Sequence, residues 1–162
     1  MRYADGPTVE VEVLVAAPIE RVWALVSDID LPARFSGELL EARWVDDVKL
    51  GARFTGRNHH DALGEWETTA FVVRYEPPVA FGWAVSDPSN PSASWWFELA
   101  AEPGGTRLRQ GMRIGPAPSG LSIAIEAMPD KEEKIIARRL AEHERNMRAT
   151  LEGIKRLAQA QE

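Results

Sequence analysis

The sequence predicts an α+β fold in which a curved antiparallel sheet of seven strands is wrapped around one long C-terminal helix. From Asp130 to about Ala158 the apolar residues recur at steps of three or four, which is the period of an amphipathic helix. Between Glu38 and Arg113, six segments that alternate apolar and polar residues are separated by turn residues, a pattern typical of an antiparallel meander. One more strand and two short helices precede this meander.

The first strand and the two short helices are marked by simple local signals. Valine occupies every second position of a strand from about Thr8 to Val15, so the valines are predicted to face the core. Pro18 then opens a helix that ends near Val26, because proline at the first helical position lacks only a donor that would be unpaired anyway. Asp30 is predicted to cap a second helical turn from Leu31 to Phe35.

The six strands of the meander are assigned from their alternation. In chain order they lie near 38–44, 52–60, 65–75, 81–85, 95–99 and 107–113. In the first of them Leu40, Ala42 and Trp44 share one face. Apolar residues occupy both faces of the strand 65–75, which leaves its facing open and is compatible with a β-bulge; Trp66 is interpreted as pointing inward.

Two helices end the chain. The residues from Leu121 to Met128 have the spacing of a short helix, which Pro129 separates from the long one. Asp130 and Glu133 resemble a capping box at the start of the long helix. At about 1.5 Å per residue this helix is on the order of 40 Å long, so its apolar stripe is expected to lie across the sheet.

The composition is that of one ordinary globular domain spanning residues 1–162. Hydrophobic residues make up 44% and charged residues 27%, and no apolar run approaches the length of a bilayer span. The 19 Lys and Arg against 25 Asp and Glu residues give a net charge of −6, which disfavours nucleic acid and anionic membranes as partners. The lack of cysteine and of a signal-peptide pattern indicates a cytoplasmic protein, while the choice between monomer and homodimer stays open.

Known cofactor and metal motifs are missing from the sequence. The segment GPAPSG at 115–120 lacks the Lys and the strand-to-helix setting of a phosphate loop, and neither a nucleophile elbow nor an H-E-x-x-H pair occurs. His59, His60, Asp61 and Glu65 are metal-ligand residue types, but adjacent strand residues point to opposite faces. We therefore interpret this group as an exposed hairpin end and expect neither a cofactor nor a metal.

Three polar residues lie where the patterns otherwise place apolar side chains. His143 interrupts the apolar stripe of the long helix, and Asn58 and Gln110 occupy inward positions of their strands. Each is either a hydrogen-bonded core residue or a polar group facing a cavity, in which case His143 is expected to titrate near neutral pH. Both interpretations stay open at this point.

A cavity is favoured by the geometry of the predicted sheet. A strongly twisted sheet packs closely on a helix at one end and separates from it at the other, where short helices and loops close the gap. The segments 18–35 and 121–128 are available as such closures. The six tryptophans of the chain suit either a solid core or a pocket wall.

Five motifs connect the chain to a known family. They are APIERVWALVSDID at 17–30, GARFTGRN at 51–58 with Trp66 after it, EPP at 76–78, GGTRL at 104–108 and NMRATLEGIKRL at 146–157. With the order of elements, they resemble the helix-grip fold of the START/Bet v 1-like superfamily and, more narrowly, the polyketide cyclase/dehydrase and lipid transport family, often called SRPBCC proteins. The resemblance implies an internal cavity for a hydrophobic or aromatic small molecule. It implies no fixed catalytic motif, so the catalytic residues stay unknown.

Three functional hypotheses follow. The first is binding of a polyketide-like or lipid-like molecule, the second is a cyclase or aromatase that uses the same cavity and moves protons with His143 or a nearby carboxylate, and the third is a structural or regulatory module with a vestigial cavity. The expected pocket walls are Phe54, Trp66, Trp83, Trp95, Met112, Leu140 and Met147. Asn58, Gln110 and His143 are expected to orient the ligand, and Phe35, Leu121, Ile125 and Met128 to lie at the mouth.

Overall fold

The structure is a computed structural model that describes residues 1–160. Its strands are β1 (Thr8–Val15), β2 (Leu39–Trp44), β3 (Arg53–His60), β4 (Gly64–Glu76), β5 (Ala80–Val85), β6 (Ala93–Glu102) and β7 (Gly105–Ile114). Its helices are α1 (Ile19–Val26), α2 (Gly120–Ala127) and α3 (Glu132–Ala160), with 3-10 turns at Tyr3–Asp5, Leu31–Arg34 and Pro129–Lys131. The strands form one antiparallel sheet in the order β1-β7-β6-β5-β4-β3-β2. The predicted architecture is confirmed.

A solidly packed part of the core lies where α3 and α1 meet the β1/β7 edge of the sheet. On β1 the alternate residues Val11 and Val15 are buried, as the alternation predicts, and Leu108 of β7 is buried with them. The C-terminal half of α3 supplies Leu151 and Ile154, which are 2% and 1% exposed. All five side chains belong to one apolar cluster. Close packing therefore fixes this end of α3 on the sheet.

A bulge in β2 changes which leucine faces inward. The register of β2 against β3 shifts between Leu39 and Glu41, so Leu40 is displaced from the face that carries Ala42. Leu40 is 42% exposed, and Leu39 is the half-buried residue. The sequence prediction that Leu40 shares a face with Ala42 was wrong, because strict alternation does not anticipate an extra residue in one strand.

A second bulge explains why β4 has apolar residues on both faces. The register of β4 against β5 shifts between Val72 and Arg74. Ala70 and Val72 are buried before the shift, whereas after it Tyr75 turns inward against the ring of Phe81. The inward face thus changes phase within one strand, and the bulge that the sequence allowed is present.

The helices begin differently from the sequence prediction. Pro18 lies outside α1 as its N-cap, in an extended conformation. The long helix starts at Glu132, because the preceding residues form the 3-10 turn Pro129–Lys131. Glu132 is buried and accepts hydrogen bonds from the Tyr3 amide at 2.7 Å and from the Arg2 guanidinium at 2.8 Å. These bonds tie the start of α3 to the N-terminal segment.

Asp30 also has a role other than the predicted helix cap. It makes no side-chain capping bond to the turn Leu31–Arg34. Its carboxylate instead accepts a hydrogen bond from the Ala42 amide of β2 at 2.8 Å. This bond ties the segment after α1 to the edge strand of the sheet. Among the helices of residues 1–160, none is both long and apolar enough to cross a membrane.

Candidate functional site

A cavity of about 780 Å³ lies between the concave face of the sheet and the middle of α3. Its walls come from β2 to β7, from the segment of α3 between Arg139 and Thr150, and from α2. Strand β1 contributes nothing to the wall, because it packs directly on the C-terminal half of α3. The turn between β3 and β4 and the segment after α1 complete the enclosure. The cavity therefore occupies the end of the molecule where the curved sheet and α3 separate.

Ten of the fourteen side chains predicted from the sequence as ligand contacts lie on the cavity wall. They are Phe54, Asn58, Trp66, Trp83, Trp95, Gln110, Met112, Leu121, His143 and Met147. The other four, Phe35, Ile125, Met128 and Leu140, lie elsewhere. Whether any of the ten contacts a ligand stays a prediction.

The four predicted residues that do not line the cavity either pack elsewhere or are exposed. Phe35 lies flat on α3 at Gly153, where an added Cβ atom would be 2.6 Å from the ring. Leu140 packs at the margin of the apolar cluster. Met128 follows the last turn of α2 and is 45% exposed, and Ile125 lies on the part of α2 that does not border the cavity. Small differences in helix phase determine which residues border a pocket mouth. The spacing of apolar residues in the sequence does not resolve such differences.

Sequence reasoning missed a row of polar side chains on α3. Arg139, Asn146 and Thr150 line the cavity together with His143. Their spacing of four, three and four residues places them on one helix face. Treating His143 as part of a polar row, rather than as one exception in an apolar stripe, could have revealed it. The missed aliphatic wall residues, such as Val26, Ile29, Leu39 and Ala42, carry no sequence signal that separates them from ordinary core.

An aromatic row covers one wall of the cavity. Phe54 and Trp83 meet edge to face with ring centroids 5.7 Å apart. Trp83 and Trp95 are cross-strand partners whose rings are nearly parallel, at 9°, with centroids 6.4 Å apart. The imidazole of His143 stands edge-on to Trp95 at 5.3 Å. This row offers a planar ligand an extended aromatic surface next to a polar group.

Three polar side chains on the wall lack hydrogen-bond partners. Gln110 is 5% exposed, and its Oε1 atom is buried and unpaired within residues 1–160. The side chains of Asn58 and His143 also make no hydrogen bond to any residue that the structure describes. Buried polar groups are normally paired with protein, water or ligand. The cavity thus contains the polar groups that a bound molecule is able to satisfy.

His143 is neutral in the folded protein. Burial is the main cause that lowers its pKa to about 3, and the nearby charges of Arg139 and His60 lower it further. The expectation that His143 titrates near neutral pH was therefore wrong. Sequence position indicates that a histidine faces inward, but it does not give the depth of burial that determines the pKa.

A group of charged side chains lies beside His143, and two of its members, Arg139 and Glu38, line the cavity. Arg139 donates from Nη1 to Glu38 Oε1 at 2.7 Å and from Nη2 to Glu38 Oε2 at 2.8 Å. Its Nη1 also donates to Glu142 Oε1 at 3.0 Å, and His60 Nε2 lies 3.1 Å from the same oxygen. We call these four residues the Arg139 cluster. It joins α3 to the start of β2 and to the end of β3.

The Arg139 cluster corrects the interpretation of the hairpin end. The side chain of His60 is only 20% exposed, whereas His59 is 46% exposed and lies 3.4 Å from Asp61. The two histidines point apart, as adjacent strand residues do, but His60 is held against α3 rather than exposed.

Burial alone would raise the pKa of Glu142, yet hydrogen bonds with Arg139 and His60 outweigh it and hold that pKa below its ordinary value.

Comparisons with known proteins agree with this fold. The family model described as polyketide cyclase/dehydrase and lipid transport matches residues 6–159. The solved structure of the polyketide-cyclase-like protein Cgl2372 from Corynebacterium glutamicum is 32% identical, with a TM-score of 0.66 and with 93% of this chain and 90% of that chain covered. Among curated proteins, none matches the chain.

Two more distant structures share the fold alone. The di-domain ARO/CYC protein BexL of the BE-7585A biosynthetic pathway is 16% identical at a TM-score of 0.74, with 96% of this chain and 51% of that chain covered, so the chain spans about half of BexL. Ara h 8.0201 is 13% identical at a TM-score of 0.60, with 96% of this chain and 99% of that chain covered. Since the family model matches nearly the whole sequence, the chain belongs to the polyketide cyclase/dehydrase and lipid transport family.

Proposed function

We propose that the protein is a single domain that binds a hydrophobic or aromatic small molecule, polyketide-like or lipid-like, in the cavity between its sheet and α3. One observation carries the proposal: a cavity of about 780 Å³ combines an aromatic wall with the buried amide oxygen of Gln110, which is unpaired within residues 1–160. Ligand pockets typically have volumes of roughly 300–1,000 Å³ and few, well-placed polar groups. The family name, which includes lipid transport, supports the same proposal.

A purely structural role accounts poorly for this interior. Protein cores are close-packed, and lining residues around empty space lose the contacts that would stabilise the fold. The chain nevertheless places Trp83 and Trp95 beside a space that neither fills. A bound molecule would supply the missing contacts and pair the polar groups.

Ligand-induced stabilisation tests the proposal. A panel of aromatic polyketides and fatty acids is added to the purified protein, and thermal unfolding is recorded. A ligand at a hundredfold excess over its dissociation constant stabilises the fold by about 2.7 kcal/mol. Mass spectrometry of the denatured, freshly purified protein checks in parallel for a ligand that co-purifies.

Matched variants show whether the response comes from the cavity. Ala124 of α2 lines the cavity, whereas Glu126 of the same helix is exposed and does not. Ala124→Trp should occupy part of the cavity and weaken the response, and Glu126→Trp should preserve it. If no panel member stabilises the wild-type protein and nothing co-purifies, the binding proposal is wrong and the structural-module hypothesis is favoured.

A cyclase or aromatase reaction in the same cavity is the second candidate, since the family name and the ARO/CYC protein BexL both point to it. Its proton-transfer step gains no support from His143, because a base with a pKa of about 3 is weak at neutral pH. If His143 rather than a nearby carboxylate moves the proton, His143→Phe should abolish turnover of a candidate substrate while leaving the fold intact. Unchanged turnover would remove His143 from the chemistry.

A further inference from the structure

We propose that the ligand is an electrically neutral aromatic molecule with a hydroxyl group, that Gln110 binds this hydroxyl, and that the cavity rejects carboxylates. The inference rests on the proposed binding function and specifies its ligand class. Three features of the wall carry it: the unpaired amide of Gln110, the charge balance around Arg139, and the aromatic row Phe54, Trp83 and Trp95.

Gln110 is the polar group that most needs a partner. It lies on the inward face of β7, it is 5% exposed, and its Oε1 atom has no hydrogen bond within residues 1–160. An unpaired acceptor in a low-dielectric interior carries a free-energy cost that a ligand donor removes. Rotating the amide by 180° exchanges acceptor and donor, so a group that both donates and accepts fits either orientation. A hydroxyl is the simplest such group.

The location of Gln110 connects the hydroxyl to the aromatic row. Trp95 of β6 pairs with Met112 of β7, which makes Gln110, two residues away on the same face, the diagonal neighbour of Trp95. His143 contacts the same indole ring at 5.3 Å. A ring placed against Trp95 is therefore flanked by the Gln110 amide and the His143 imidazole, so a hydroxyl on that ring lies within reach of uncharged hydrogen-bonding groups.

The charges of the wall disfavour an anionic ligand. Arg139 is the only Lys or Arg among the described residues that line the cavity, while Asp28 and Glu38 also line it. Both terminal nitrogens of Arg139 are already bound by Glu38, and one of them also by Glu142. His143 is neutral and supplies no positive charge. A carboxylate that enters the cavity would thus lose its hydration without gaining a free cation.

Three probes with the same ring system test the inference directly. They are 2-naphthol, naphthalene and 2-naphthoate, and their dissociation constants are measured by quenching of tryptophan fluorescence. We expect 2-naphthol to bind about tenfold more tightly than naphthalene, the gain of one hydrogen bond to a buried unpaired group. We expect 2-naphthoate to bind more weakly than naphthalene. Equal binding of naphthol and naphthalene overturns the role of Gln110, and naphthoate binding as tight as that of naphthol overturns the charge argument.

Variants assign each preference to its residue. Gln110→Leu should abolish the preference for naphthol over naphthalene, whereas Thr68→Val, which alters another polar wall residue, should keep it. The double variant Glu38→Gln/Glu142→Gln frees Arg139 and should raise naphthoate affinity at least tenfold. Glu144→Gln is the matched control, because Glu144 bonds Arg148 on the exposed side of α3. A Gln110→Leu protein that keeps the naphthol preference contradicts the inference.

The same measurements separate this inference from the proposed function. If all three probes bind with equal affinity, the cavity is a binding site and only the ligand class is wrong. If neither the probes nor the wider panel of polyketides and fatty acids binds, both proposals fail. The comparison among the three probes uses the wild-type protein, so it remains decisive even if a variant does not fold.

Discussion

At the scale of single residues, the inward polar side chains were the most informative feature of the sequence. Asn58, Gln110 and His143 were selected because each interrupts an apolar pattern, and all three lie on the cavity wall. The protonation of His143 was not predictable in this way. A pKa depends on how many atoms surround the group and which charges are near it, and both are properties of the folded chain.

His143 should make the stability of the protein depend on pH. Its pKa falls from 6.5 to about 3 on folding, so between these values the unfolded chain binds a proton that the folded protein does not. Stability contributed by neutral His143 is therefore present above pH 6.5 and is lost as the pH falls toward 3, by at most about 1.4 kcal/mol per pH unit.

The variant His143→Phe isolates this effect. Urea unfolding of both proteins at several pH values between 4 and 7 should show a shallower pH dependence for the variant. His60 and Arg139, the charges that face His143, are present in both proteins, so their contributions largely cancel. Parallel stability profiles would show that His143 is not buried in its neutral form.

Gly153 should be intolerant of even a methyl group. Replacing glycine by alanine inside a helix usually stabilises it by about 0.5–1 kcal/mol. Here the added Cβ would lie 2.6 Å from the ring of Phe35, which is packed against α3, and overpacking of this kind costs typically 1–3 kcal/mol. The clash outweighs the helix propensity, so Gly153→Ala should lower the free energy of unfolding measured in urea.

Two further variants check that the cause is the contact with Phe35. In the double variant Gly153→Ala/Phe35→Leu, alanine should be less harmful than in the wild-type background, because the smaller side chain can move aside. Gly120→Ala, at a position with no atom within 4 Å of the new Cβ, should not destabilise the protein. A Gly153→Ala protein that is more stable than the wild type would mean that Phe35 does not occupy this position.

At the scale of secondary-structure elements, alternation and turn residues predicted the strands well but failed where a strand has an extra residue. The β1 strand, Thr8–Val15, has the predicted bounds. In β2 the bulge between Leu39 and Glu41 reversed the facing of Leu40, whereas in β4 the double-sided apolar pattern gave warning of a bulge. A bulge depends on the register with the partner strand, so only a long or unusual pattern reveals it.

The start of α3 illustrates the same limit for helices. Asp130 and Glu133 have the spacing of a capping box, but the helix begins at Glu132. Glu132 is bound by Arg2 and by the Tyr3 amide, from a segment about 130 residues away in the sequence. Such long-range bonds leave no local signal, so the sequence did not predict them.

The Arg139 cluster should contribute strongly to the attachment of α3 to the β2 and β3 ends. The side chains of Arg139 and Glu38 are 11% and 14% exposed. Among residues 1–160, Arg139→Met removes the only cation bound to Glu38 and leaves Glu142 with His60 as its sole hydrogen-bond partner. Breaking such a partly buried pair costs roughly 2–4 kcal/mol. We therefore expect a loss of this size in urea unfolding at pH 7.

The neighbouring residue Arg138 supplies the control. Its side chain is 86% exposed and lies 4.0 Å from Glu142, so Arg138→Met should change stability by less than about 0.5 kcal/mol. In the Arg139→Met background, Glu38→Gln should restore part of the loss by removing an unpaired charge. Equal effects of the two Met variants would show that the Arg139 cluster is no stronger than an ordinary surface ion pair.

At the scale of the whole molecule, α3 has two distinct surroundings. Leu151, Ile154 and Ala158 are packed solidly, whereas the segment from Arg139 to Thr150 borders the cavity. The sequence predicted His143 and Met147 at the pocket, and the inward positions that follow them, Leu151, Ile154 and Ala158, are apolar. It did not determine the size of the cavity, which depends on how far the curved sheet departs from α3.

This division should appear as a difference in local stability. Helix α2 has no buried residue, although it forms part of the cavity wall. Few contacts therefore hold α2 against the rest of the protein. In hydrogen–deuterium exchange of the ligand-free protein, the amides of α2 should exchange at least tenfold faster than those of Leu151–Ala158, which open only with the global fold. A bound probe such as 2-naphthol should strongly slow amide exchange in α2. The exchange rates of the amides in Leu151–Ala158 should keep nearly the same proportions to one another. Ala124→Trp, which adds apolar contacts between α2 and the cavity wall, should slow exchange in α2 without any ligand, and Glu126→Trp should not. Equal protection of α2 and Leu151–Ala158 in the ligand-free protein would mean that the cavity is not a weak point of the fold.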